Sequence, residues 1–434
     1  MKFISHRICI SRLSTAVRIA SAVCLLATAN MTAAQNADVV YSGWSQTEVG
    51  LRPTLDKLFS NFQAANPGQK LEVVGFPFGQ MEQNLILRRR NNEKTDVAQL
   101  QERWLPQFVG MNALYDLNQV LGASTLAANF DPDLLKLGQV NGKQYAIPFT
   151  AGAITLVANR KVLTAAGITA PPKTLDEFKD ALRKVKISNK DFIPFGFSTK
   201  GTALIQAEST IMFWAHGAHF LDKSGKVLVD SREARAALQD LADMVKEGLI
   251  AKGNDRFDTR KLYAADKVAF FLDPPVIRGF VRAQSPGPDA DSKVMILTVP
   301  TAKAGDPPRG LLWAHFLVMF NQGGTTGRPD SAGAKLLTAI GADGNTQAAL
   351  WKDAGQIPTL KSALADAQKD PYAKAYLDAA KTAQWDETAT FANGAELRQI
   401  IGEEVEAGML GAKTVDVAIT SMARRLNQAI KDAR

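Results

Sequence analysis

The sequence predicts an α/β protein built as two lobes, each a mostly parallel sheet flanked by helices. Three observations carry this. Strand-like and helix-like segments alternate from Asp38 to Leu117, the pattern of parallel βαβ units with right-handed crossovers. The chain has 434 residues, 46% of them hydrophobic, enough for a large core and more than one domain. A run from Tyr145 to Phe149, interrupted by Pro148, reads as a strand leaving one body for another.

The elements follow in order. Val39 to Tyr41 mark a first strand within Asp38–Ser42, and a helix starts near Pro53, a residue suited to a first helical position. Leu55, Leu58, Phe59 and Phe62 line one face of that helix, and Asn66-Pro67-Gly68 ends it. Leu71 to Gly75 is a second strand. The helix near Met81 to Asn92 carries Arg88, Arg89 and Arg90, a solvated basic end. Asp96 to Leu100 is a third strand. Asn141-Gly142 is a turn pair, because both residues tolerate positive φ. Tyr145 to Phe149 and Ile154 to Ala158 then read as two strands. Asn159 caps a short helix stopped by Gly167, and Thr174 with Glu177 forms a capping box for a helix burying Leu175, Phe178, Leu182 and Val185. Further on come a helix over Ala203–His216 and a short strand over Lys226–Val229. A helix capped by Asp230 closes at Gly248, and a buried strand ends at Asp273. Val294 to Pro300 reads as another crossing, Gly310 to Asn321 as the return, and Val415 to Ile430 as the last helix.

Formal charge is +8, of which the four basic residues before position 35 supply half, leaving +4. That is too mild to indicate nucleic acid. Lys2, Arg7, Arg12 and Arg18, the apolar run Ile19 to Ala27 and Thr32-Ala33-Ala34 read as a secretory signal peptide over residues 1–34, cleaved after Ala34. The apolar run is shorter than the roughly 20 residues of a membrane span. Both cysteines, Cys9 and Cys24, lie in the expected signal peptide, so the mature chain is expected to have no disulfide, thiol nucleophile or cysteine metal site. Cys24 follows Ser21-Ala22-Val23, which lacks a lipoprotein box, so a released periplasmic protein is expected. There is no His-Glu-x-x-His, Gly-x-Ser-x-Gly or phosphate loop. His216 and His219, with Asp222, have a spacing that a metal accepts, but an ordinary helix-face pair accounts for it better. No catalytic residue, metal or cofactor is expected.

Four motifs occur in sequence: Gly142-Lys143-Gln144-Tyr145-Ala146-Ile147-Pro148, Asn159-Arg160, Ala166-Gly167-Ile168, and Pro171-Pro172-Lys173-Thr174-Leu175-Asp176-Glu177-Phe178. In order and spacing this stretch resembles extracellular solute-binding proteins of the sugar-binding type (family 1), the substrate-binding components of ABC importers. The resemblance extends from residue 38 to 434. It includes Asp266-Lys267-Val268-Ala269 and Gly355-Gln356-Ile357-Pro358. It implies the two-lobed periplasmic binding protein fold of type II, with the ligand cleft at the hinge. Lobe one is expected from 38–148 and 299–325, and lobe two from 149–298 and 326–434. It also implies a monomeric receptor that closes on a mono- or oligosaccharide and presents it to permease subunits in the inner membrane. A polyol or glycerol-phosphate-type solute is one alternative, kept open by Arg103, Arg278 and Arg309. A secreted carbohydrate-active hydrolase is the alternative from another class.

A neutral sugar requires aromatic faces for its C–H surface and planar polar groups for its hydroxyls. In open α/β sheets such groups converge beyond the carboxyl ends of the strands. The candidates there are Trp44 and Gln46 after the first strand, Phe78 after the second, and Gln101, Glu102, Arg103 and Trp104 after the third. Phe149 lies just past the first crossing. Asp273 ends the second-lobe strand, with Arg278 a turn later. Trp313 and His315 lie on the returning segment, and Trp385 on a late loop. At Asp273-Pro274-Pro275 the family often has glycine and an aromatic, so a hydrogen bond from Asp273 is expected there rather than stacking.

Overall fold

The computed structural model describes residues 37–323 and 327–433. The signal peptide expected over residues 1–34 lies outside the described residues. Ten strands are assigned: β1 Val39–Gly43, β2 Leu71–Gly75, β3 Val97–Gln101, β4 Gln139–Val140, β5 Lys143–Gln144, β6 Ile147–Asn159, β7 Ile193–Gly196, β8 Val268–Asp273, β9 Val294–Leu297 and β10 Leu311–Met319. The main sheet runs β2-β1-β3-β10-β6-β8-β7, with β9 also on β6. The βαβ units give parallel pairing of β1 with β2 and β3, and of β7 with β8. The strands that pass between the two bodies pair antiparallel.

The centre of this arrangement is β6. Tyr145–Phe149 and Ile154–Ala158, expected as separate strands, belong together: Ile147–Asn159 is one strand of 13 residues, buried throughout. Its first half pairs with β10 and its second half lies between β8 and β9. Pro148 is tolerated because the register shifts there: His315 faces Thr150 and Phe316 faces Pro148, which leaves Phe149 as the extra residue of a bulge. The short strand expected over Lys226–Val229 is reduced to one bridge, Leu221 to Val227.

Side chains alternate across these strands and divide the core. On β10, Leu317 and Met319 pack with Val39, Tyr41, Leu55 and Phe59, whereas Phe316 and Val318 pack on the other face with Leu100, Trp104 and Phe108. On β6, Leu156 and Ala158 join the large second-body cluster with Phe178, Leu182 and Phe270, and Val157 faces Tyr263 and Phe271 on the opposite side. The helices Ala332–Gly341 and Gly344–Ala354 correct the expected division at residue 326. Their Leu336, Leu337, Ile340 and Leu350 fill the Val39–Tyr41 core, so both helices belong with the first body.

The local end signals hold with one shift. Thr174 Oγ1 accepts from Glu177 N at 3.2 Å while the Glu177 carboxylate accepts from Thr174 N, completing the capping box of Leu175–Ser188. Asn159 caps Arg160–Ala165, and Gly167 follows at φ +69. For Arg232–Lys246 the cap is Ser231, whose hydroxyl accepts from Ala234 N. Asp230 instead accepts from Arg235.

Phe149 was expected at the ligand, but the bulge turns it into the Val39–Tyr41 core, where it is 1% exposed. Phe149→Ala is expected to lower stability by about 3–5 kcal/mol, read by urea denaturation, through a cavity. Ligand affinity of the folded fraction should be unchanged.

Candidate functional site

Two chambers lie between the bodies. The inner one, beyond the carboxyl ends of β1 and β3, is a hollow of about 40 Å³. Trp44 follows β1 and Gln101 ends β3. Phe78 opens the helix after β2, and Trp313 and His315 share one face of β10. The opposite wall is the helix Arg256–Ala264, which presents Arg256, Phe257 and Arg260. The rings are packed together. Trp44 meets Trp104 and Phe78 edge-on at 5.5 Å, and Phe78 reaches Phe257 across the gap at 6.3 Å.

Polar contacts fix this chamber. Gln99 Oε1 accepts from the backbone N–H of Trp44 and Ser45, which pins the turn after β1. Its amide nitrogen therefore donates to Ser45 Oγ and, at 3.4 Å, to His315 Nδ1. This leaves the His315 proton on Nε2. Burial, with Arg260 nearby, holds the His315 pKa well below its ordinary value, so the ring is neutral. Trp313 Nε1 and Arg256 Nη2 are buried without a partner among the described residues. The chamber thus offers donors to an acceptor oxygen.

The outer chamber is far larger, about 1060 Å³. Glu102, Leu105 and Pro106 form its first-body wall with the β4–β5 hairpin. His219, Leu221 and Leu228 form the facing wall, and the segment Gln384–Thr390 lines the space between, with Trp385 packed against the first-body apolar cluster. Glu102 Oε2 accepts from Ala314 N at 3.0 Å. Burial raises its pKa to about 7, against the lowering pull of Arg103 and that N–H, with Asp386 adding to the rise. Glu387 does not meet solvent as a free carboxylate. It accepts from Trp214 Nε1, His219 Nδ1 and the N–H groups of Phe220 and Leu221.

A polar partition separates the chambers and joins the bodies. Arg103 Nε donates to Gln101 Oε1 at 3.0 Å, and Arg103 Nη1 donates to Gln206 Oε1 at 3.1 Å and Asp386 Oδ2 at 3.2 Å. Gln206 Nε2 donates to the same Asp386 oxygen at 2.9 Å. Burial acts to raise the Asp386 pKa, but Arg103 and Arg398 prevail and it stays below the ordinary value. Two further ion pairs cross between the bodies, Glu48 with Arg260 at 3.4 Å and Glu82 with Arg398 at 3.5 Å.

The expected site residues separate accordingly. Trp44, Phe78, Gln101, Trp313 and His315 line the inner chamber. Glu102 and Trp385 line the outer one. Arg103 forms the partition, and Asp273 lies behind the wall, gripping Arg260 through both carboxylate oxygens. Besides these two, four further expected residues line neither chamber. Gln46 is tied to the carbonyls of Gly43 and Val74, Trp104 is core, and Phe149 faces the other core. Arg278 is held by Asp291 and Asp370 over the rings of Trp351 and Tyr372. The sequence reading missed Glu48, Arg256, Phe257 and Arg260. Asp255, a helix cap just before three of them, was the available signal. His216 binds Asp240 and His219 binds Glu387. Among the described residues no cluster of His, Cys, Asp and Glu could hold a metal.

Two α/β bodies that share a strand and enclose a cleft beyond their strand ends define a two-lobed binding protein. The chain belongs to the bacterial extracellular solute-binding protein family, whose model matches residues 57–387. A Brucella abortus binding protein is 23% identical over 260 residues, covering 58% of this chain and 61% of that protein. A probable ABC transporter-binding protein of Deinococcus radiodurans is 26% identical over 223 residues, covering 49% and 51%. These matches span roughly half to three fifths of the relatives' length. Among solved structures, a Thermotoga lettingae ABC transporter solute-binding protein bound to α-D-tagatose superposes with TM-score 0.79 at 21% identity, covering 90% of this chain and 99% of that one. A maltose-bound T. maritima protein gives 0.77 at 23% identity, with the same coverage.

Two outcomes test this geometry. The folded Glu102 pKa lies above its ordinary 4.5, so its stabilising contribution is complete below that value and is lost as pH rises through about 7. Unfolding free energy relative to Glu102→Gln should therefore fall between those pH values, as measured by denaturant titrations. Arg103→Ala would leave Asp386 buried and unpaired if the lobes stayed shut, which costs about 3–5 kcal/mol. Opening relieves that, so small-angle scattering should give a larger radius of gyration for the variant.

Proposed function

We propose that this chain is the substrate-binding component of an ABC importer that captures a carbohydrate by lobe closure and delivers it to membrane permease subunits. The carrying observation is the large outer chamber between the two bodies, lined by the half-buried Trp385 and by the Glu102 carboxyl. An aromatic side chain and a hydrogen-bonding carboxyl in one chamber suit a ring with one apolar face and peripheral hydroxyls. The sugar-bound structures of like fold support the same reading.

The protein acts as a monomer in the periplasm, and no bond of the ligand is made or broken. Lobe one takes 38–148 and 299–325, and packing adds 332–354 to it. Lobe two takes the rest. The motion is hinge closure about the crossing strands. A phosphate-bearing solute is disfavoured because Arg103 and Arg278 are committed to carboxylates. A hydrolytic carboxylate pair is disfavoured because Asp386 and Glu387 are spent on Arg103 and on four donors.

A thermal-shift screen of saccharides, polyols and glycerophosphates checks this. A true ligand at a hundred times its Kd should add about 2.7 kcal/mol of stability and a visible rise in Tm. A rise with glycerophosphates alone, or depletion of a saccharide during incubation, defeats the proposal.

A further inference from the structure

We infer that the ligand is an extended saccharide of several rings, lying along the outer chamber against Trp385, and not a single sugar held in the inner aromatic chamber. This rests on the carbohydrate reading above and narrows it.

Size is the first ground. Drug-sized ligands fill pockets of about 300–1,000 Å³. The outer chamber, at about 1060 Å³, exceeds that range, so one sugar ring would leave most of it unfilled. The inner chamber, at about 40 Å³, admits little more than a water-sized group. Its cross-lobe contacts, Glu48 with Arg260 and Phe78 with Phe257, would have to part before a ring entered.

Ring access is the second ground. The chain has six tryptophans. Trp44, Trp104, Trp214, Trp313 and Trp351 are all buried, and Trp385 alone keeps part of its surface open. That surface borders the large chamber. A stacking platform must expose a face before the ligand arrives, and the inner-chamber indoles are already covered, Trp44 by Trp104 and Phe78 and Trp313 by His315.

The third ground is how the lining is distributed. Leu105 and Pro106 on one side, and Leu221 and Leu228 on the other, give the chamber apolar surface from both bodies. Planar amides stand towards the rims, with Gln139 and Asn141 on the hairpin and Gln384 opposite. Asn141 is held at φ +51 at the hairpin turn, which fixes its position at the lip. Apolar walls along the length and amides at the edges match a chain of rings whose faces are C–H and whose rims are hydroxyl. Glu102, at the partition, meets one end of that chain.

Calorimetric titration of the mature protein tests this with malto-, cello- and xylooligosaccharide series, each from monomer to hexamer. In the series that binds, affinity should rise at least tenfold from monomer to trimer. Trp385→Ala should abolish that rise, and Trp385→Phe, which keeps a flat face, should retain most of it. Trp313→Phe, in the inner chamber, should leave it intact. Circular dichroism of each variant confirms folding. A monomer that binds as tightly as its trimer, with Trp313→Phe weakening both and Trp385→Ala neither, overturns the inference while leaving the carbohydrate reading standing. Failure of every saccharide to bind overturns both.

Discussion

One strand carries the architecture. The thirteen residues of Ile147–Asn159 are buried without exception, and the strand is an interior member of the main sheet that runs through both bodies. A strand so enclosed must find partners for its backbone polar groups. It takes β10 through the first half, and β8 with β9 through the second. Everything at the cleft is placed relative to it. The bulge at Phe149 allows Pro148 in an interior strand and sets the register of His315 against Thr150. That register in turn puts Trp313 and His315 on the chamber side of β10.

The parts of the fold that were legible from sequence are those decided over a few residues. The capping box of Thr174 and Glu177, the Asn159 cap and the Gly167 stop are chemistry between near neighbours, and each forms. Such signals err only by local competition, as when Ser231 takes the cap read for Asp230. The joining of two apolar runs into one strand was not legible. Pro148 argues for an interruption, and only the bulge created by β10 removes that argument. The allegiance of residues 332–354 was hidden for the same reason: their apolar faces declare burial without saying against which body.

The site was legible as a set of loops and not as a set of exposed faces. Seven expected residues do line the chambers. Yet Trp104 and Trp44 look alike in sequence and share one apolar cluster, and only packing brings the second to the chamber wall as well. Arg278 was chosen for its place a turn beyond Asp273. A helix turn carries it away from the cleft to Asp291 and Asp370. Charge behaves likewise. Arginines and carboxylates gather near the cleft, but nearly all answer one another, so composition overstates the charge available to a ligand.

Trp385, Asp386 and Glu387 are consecutive, and each has a different attachment. The indole borders the large chamber, the next carboxylate reaches across to Arg103, and the third is clamped by Trp214, His219 and two backbone N–H groups. Glu387 is thus a fulcrum and the peptide before it a short lever. The backbone under the indole is thereby anchored to both bodies within three residues, through Asp386 to the first and through Glu387 to the second. Parting the lobes breaks the first attachment and keeps the second.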